Sequence, residues 1–165
     1  MSKMNENSEK ILRIIHISAM SVWFSSLLIM SVITFLIAKI TSYEALKYAH
    51  EIVSLIDRFI LTPAAILTLL TGIVFINFTQ WKLKDNLWLK IKVLITCALI
   101  LSGIFYLAPL LNIMIDKILT IGVDALTQDT YQSDLSTITW FMITNCLLLL
   151  FVIIISTFKP GKETK

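Results

Sequence analysis

Four stretches of this chain carry no charge at all: residues 14–38, 59–81, 93–115 and 135–158. Each is longer than the ~20 apolar residues that an α-helix needs to cross ~30 Å of hydrocarbon at ~1.5 Å per residue. None has the polar face that a helix on a soluble domain turns toward water. The windows therefore predict an all-α fold, an integral membrane four-helix antiparallel bundle. The chain, residues 1–165, reads as one membrane domain with spans over about 11–38, 55–79, 89–114 and 136–158. Composition excludes the soluble alternative. Only 15% of residues are charged and 57% are hydrophobic, whereas about a quarter of a soluble domain is charged.

The charges that remain set an orientation. Lys3, Lys10 and Arg13 precede the first window, Lys82, Lys84, Lys90 and Lys92 lie between the second and third, and Lys159, Lys162 and Lys165 follow the fourth. The other two connections hold Lys39, Lys47, Arg58 and Lys117 among seven acidic residues. Positive residues collect on the cytoplasmic side, so both termini and the middle connection are expected there. The expected location is the cell membrane, as a multi-pass protein. The net charge of +3 thus belongs to lipid rather than to nucleic acid. The first window far exceeds the ~7–15 residues of a signal-peptide core, and no A-x-A-like site follows it, so it reads as a retained helix. Cys97 and Cys146 fall inside apolar windows at different depths and read as small hydrophobes rather than a disulfide.

Local signals refine the outline. His16, Met20, Trp23, Leu27 and Met30 recur at helical spacing on one face of the first helix. Ser18, Ser21 and Ser25 form a neighbouring stripe of small residues, over which another helix can approach closely. Thr41 and Glu44 have capping-box spacing, which predicts an amphipathic lead-in over 43–56 with Lys47, His50 and Glu51 toward water. Asp57 and Arg58 read as an interfacial pair. Pro63 is expected to kink the second span, and Pro109 to bend or end the third. Gly103 is expected to permit close packing, and residues 127–136 to form a polar loop. Trp81 and Trp88 mark an interface, and Pro160-Gly161 stops the last helix.

Chemistry-bearing residues are few. No H-E-x-x-H, C-x-x-C, G-x-G-x-x-G or phosphate-binding loop occurs. His16 and His50 stand at opposite ends of the first span and its following segment, too far apart to ligate one metal within one chain. His16 and Lys92 enter the membrane at the same edge, where an ionisable group snorkels to water or faces the bundle interior. Neutral imidazole is the common protein ligand to haem iron, so His16 is the candidate metal ligand, against a plain interfacial histidine. Asn145, the one strongly polar residue inside the fourth span, reads as inter-helix glue.

His16-Ile-Ser-Ala-Met-Ser-Val-Trp23, an H-x6-W at the start of the first span, resembles the first helix of the HemJ-type protoporphyrinogen oxidases and of copper-resistance protein D. Thr62-Pro63-Ala64 with Gly72 is similar to the second HemJ helix. Trp88-Leu-Lys-Ile-Lys92 is similar to its W-x-x-x-K entry to the third, and Asn145 with Phe158-Lys159-Pro160 to the end of its fourth. The stretch 33–38 has none of the Pro, Arg, Tyr and His that continue the HemJ first helix. The likeness is therefore closest to the uncharacterised predicted integral membrane proteins of this superfamily. The resemblance implies a b-type haem or porphyrin held by His16 and Lys92, with Trp23 lining the pocket. A non-catalytic membrane scaffold or accessory subunit, associating with itself or a membrane partner, is the alternative. Oxidation of protoporphyrinogen is a third reading.

Overall fold

A computed structural model describes residues 5–78 and 86–158. Four helical rods account for nearly all of them: Glu6–Ile37, Tyr43–Phe78, Leu87–Thr127 and Asp129–Phe158. All four are long and apolar enough to cross a membrane, and the chain is a multi-pass membrane protein. Trp81, Lys82, Lys84 and Pro160-Gly161 lie outside the described residues.

The first rod is one helix, α1 (Glu6–Ile37). Asn5 caps it by accepting from the Asn7 N–H, and Glu6 and Glu9 favour the positive end of its dipole. Its buried positions are His16, Ala19, Trp23, Ser26, Leu27, Met30, Thr34 and Ile37, a stripe of helical period. The outer face, including Ile14, Ile17, Val22, Ile29, Val32 and Phe35, is apolar and exposed. A bilayer covers such a face; water would leave a large apolar patch bare.

The second and third rods share one irregularity. In the second, α2 (Tyr43–Ile56) runs through a single widened π turn (Asp57–Leu61) into α3 (Thr62–Phe78). In the third, α4 (Leu87–Ser102) runs through a π turn (Gly103–Leu107) into α5 (Ala108–Ile121), then a 3-10 turn (Gly122–Thr127). The Thr62 N–H reaches back to the Asp57 carbonyl, and the Ala108 N–H to that of Gly103. Pro63 and Pro109 follow immediately. A proline ring collides with the carbonyl four residues earlier, and a one-residue bulge opens the turn to make room. The prolines therefore widen the rods rather than end them.

The last rod, α6 (Asp129–Phe158), contributes Tyr131, Leu135, Ile138, Met142, Cys146, Leu149 and Val152 to the core. It begins where a polar loop is expected. The Gln132 side chain donates to the Leu126 carbonyl at 2.6 Å, Lys117 pairs with Asp134 at 2.7 Å, and Tyr131 is buried, so tertiary contacts hold the polar turn as helix.

Other local expectations are corrected too. The N-cap of α2 is Ser42, without a side-chain bond, rather than Thr41. His50 is 3% exposed rather than wet. It shares the buried stripe Leu46, His50, Val53, Asp57, and its place in the period outweighs its polarity. Asp57 is buried, Arg58 is exposed, and no ion pair joins them. A Cβ on Gly103 would meet nothing within 4 Å, so this glycine begins the π turn instead of admitting a neighbour. Asn145 donates to the Phe141 carbonyl of its own helix. Ser18, Ser21 and Ser25 face outward, uncovered.

Candidate functional site

His16 is buried on α1, one turn beyond Arg13. Its Nδ1 lies 2.7 Å from Thr71 Oγ1 on α3. The Thr71 hydroxyl has one proton, and backbone carbonyls of Leu67 and Thr68 stand at 2.7 Å and 3.0 Å to receive it. The hydroxyl therefore accepts from His16, and Nδ1 carries the imidazole proton. Nε2 is left with its lone pair. A histidine whose Nδ1–H is held by a neighbouring oxygen is the form that presents Nε2 to a metal.

The ring is fixed in place. Phe75 meets it edge-on, with centroids 5.7 Å apart and planes at 83°. Gly72 lies beneath it, and a Cβ there would come within 3.7 Å of His16 Cε1. Thr68, Thr71, Gly72 and Phe75 form one helical stripe on α3, which explains why a single span supplies all these contacts.

Lys92 reaches the same place from α4. A cavity of about 300 Å³ is lined by Arg13, His16 and Ile17 of α1, Thr68, Gly72 and Ile76 of α3, Trp88, Lys92 and Thr96 of α4, and Ser156 of α6. Lys92 is close enough for its charge to act on the imidazole, and it has no ion pair among the described residues. No carboxylate among the described residues lines the cavity. Ser156 Oγ is buried there with no hydrogen bond among the described residues. Arg13 pairs with Glu9 at its rim. The result is an apolar-walled chamber holding two cations, a free imidazole nitrogen and an uncommitted hydroxyl.

Trp23 lies deeper. It is 2% exposed and lines a separate cavity of about 20 Å³ with Leu27, Leu61, Leu99, Phe141 and Asn145, room for about one water. The structure thus brings His16 and Lys92 together and sets Trp23 apart from them. His50 stands apart from the His16 cavity; its Nδ1 donates to the Leu46 carbonyl at 3.1 Å and its Nε2 faces Tyr131 Oη at 3.1 Å. The described residues hold no group of three or more His, Cys, Asp and Glu side chains that could hold a metal ion.

The donors fit the haem that the family resemblance implies: one imidazole with Nε2 free, and cations for carboxylates. The volume fits in part. Pockets that enclose drug-sized ligands run from ~300 to ~1,000 Å³, so this cavity stands at the small end of that range. Sequence reasoning missed Arg13, Thr68, Thr71 and Ser156. The signal for the threonines was their three-residue spacing within an otherwise apolar span. Arg13 and Ser156 gave none, because they reach the cavity only through packing. No family model, curated protein or solved structure matches the chain.

Proposed function

We propose that the chain is an antiparallel four-helix bundle of the cell membrane, with both termini cytoplasmic, that holds a b-type haem or porphyrin at its cytoplasmic end. His16 Nε2 would hold the iron, and Lys92 and Arg13 would neutralise carboxylates of the ligand by charge-assisted hydrogen bonds. The observation that carries this reading is the pairing of Thr71 with His16 Nδ1 at 2.7 Å beside Lys92 in one cavity. Bound haem would supply redox or ligand-binding chemistry at its iron; the chain supplies the ligand, its tautomer and the counter-charge. The H-x6-W and W-x-x-x-K likeness to the HemJ superfamily supports the same assignment, and the ten-to-four division of Lys and Arg supports the orientation.

The test is a visible spectrum of detergent-purified protein expressed with ample haem. A Soret band lost in His16→Ala and kept in His50→Gln supports the reading. Absence of the band in the parent protein refutes it. The alternative, a non-catalytic accessory subunit, is favoured by the uncovered Ser18, Ser21 and Ser25 stripe on α1, a surface suited to another membrane helix.

A further inference from the structure

The other end of the bundle holds another cavity. It is an open cleft of about 200 Å³ between the two π turns, lined by Ser54, Asp57, Arg58 and Thr62 on one rod and by Ile104, Ala108, Leu111 and Asn112 on the facing one. Asp57 is 6% exposed, and its carboxylate makes no hydrogen bond or ion pair among the described residues. Arg58, the adjacent residue, is exposed; its charge acts on the carboxylate without pairing with it. The side chains of Ser54, Thr62 and Asn112 also make no hydrogen bond among the described residues. Many other buried or half-buried hydroxyls of the bundle donate to their own helix, as Ser26, Ser31, Thr68, Thr71 and Ser102 do.

A buried carboxylate with no partner is costly and marks a site in a membrane protein. A proton would satisfy Asp57 alone. It would leave the other oxygens gathered around the same space unexplained. Both π turns border the cavity. Hard, oxygen-only donors exclude a soft metal. A single carboxylate, with an arginine beside it, is too little negative charge for calcium, whose sites use several carboxylates.

We propose that this cavity binds a monovalent cation of the sodium class, with the Asp57 carboxylate as its charged ligand and the Ser54, Thr62 and Asn112 oxygens beside it. Binding to the folded protein alone raises its melting temperature with ligand concentration. The experiment is thermal unfolding of the full chain in detergent, titrated with sodium chloride against choline chloride at equal ionic strength. A rise specific to sodium is expected. Asp57→Asn abolishes it. Thr62→Val weakens the apparent affinity about tenfold, the scale of one lost polar contact. Arg58→Gln strengthens it by removing a competing charge. Equal melting curves in the two salts overturn the proposal, as does a sodium response that survives in Asp57→Asn. A fold destabilised by Arg58→Gln with no sodium response overturns it too, by assigning the carboxylate to the arginine.

Discussion

Replacing Tyr131 by Phe tests the end of the bundle where sequence and structure disagree most. Tyr131 is 0% exposed and His50 is 3% exposed. His50 Nδ1 donates to the Leu46 carbonyl, so Nε2 must accept, and the Tyr131 hydroxyl is its donor at 3.1 Å. Tyr131→Phe keeps the ring and removes that donor. It leaves Nε2 buried and unpaired, which costs ~1–3 kcal/mol in soluble proteins. Side-chain hydrogen bonds within membrane bundles average ~0.6 kcal/mol, with a maximum near ~1.7. The bond also lies toward the end of the apolar rod, so about 1 kcal/mol is the expected loss. His50→Leu orphans the tyrosine hydroxyl instead, and leaves the Leu46 carbonyl its helical partner.

The double variant orphans neither group. The coupling from a double-mutant cycle should therefore be about 1 kcal/mol, with the double variant little worse than either single one. Reversible unfolding in mixed micelles measures it. If His50 were solvated, each substitution would fall within ~0.5 kcal/mol of the parent. Additive single effects, or a coupling below ~0.3 kcal/mol, would refute the pairing.

Gly122 has φ of +64°, a backbone conformation that L-residues adopt only under strain, so Gly122→Ala should cost ~1–2 kcal/mol in the same unfolding assay. If the proposed haem site is real, Thr71→Val should leave the fold intact and weaken haem binding ~10–100-fold in a Soret titration, the usual effect of removing the group that orients a histidine ligand. Reporter fusions after Lys84 and after Thr127 should read cytoplasmic and external respectively; identical readings at both sites would contradict the proposed orientation. Lys117→Ala should destabilise by ~1 kcal/mol or less, since Lys117 and Asp134 are partly exposed, and high salt should shrink the difference.

Rod number and placement were legible because charge-free length is a direct signal, and a bilayer demands that every backbone group be satisfied within a helix. That His16 and Lys92 line one cavity was legible because two costly groups lie at matching ends of their apolar windows. Other features depend on partners that sequence does not show. Asp57 and Arg58 look like an ion pair by adjacency. Neighbours in a helix point about 100° apart, and only Asp57 falls on the buried stripe. Gly103 reads as a packing contact until the proline six residues later is considered. Trp23 follows His16 by seven residues, about two turns, so it shares the face and lies deeper than the cavity.

The order of the cavities along the bundle constrains what the chain can do. On α1 the lining passes from Arg13 and His16 to Trp23 and Leu27. On the third rod it passes from Lys92 and Thr96 to Leu99 and Leu107, and then to Ala108 and Asn112. Between the His16 and Asp57 cavities stands a layer of Trp23, Leu27, Leu61, Leu99, Leu107 and Phe141, enclosing about 20 Å³. Most of these side chains are at most 6% exposed. An ion crossing that layer would shed its water with only Asn145, Thr62 and backbone to replace it, a large penalty in an apolar medium. The arrangement thus opposes conduction of an ion between the two cavities. The chambers can influence each other only through helix packing, and the π turns are the natural place, because Thr62 and Ile104 line both the central and the Asp57 cavities. A ligand that tightens one turn would then be felt at Trp23 before it reached His16, so Trp23 fluorescence, isolated by replacing the other three tryptophans with phenylalanine, should respond to sodium and lose that response in Asp57→Asn.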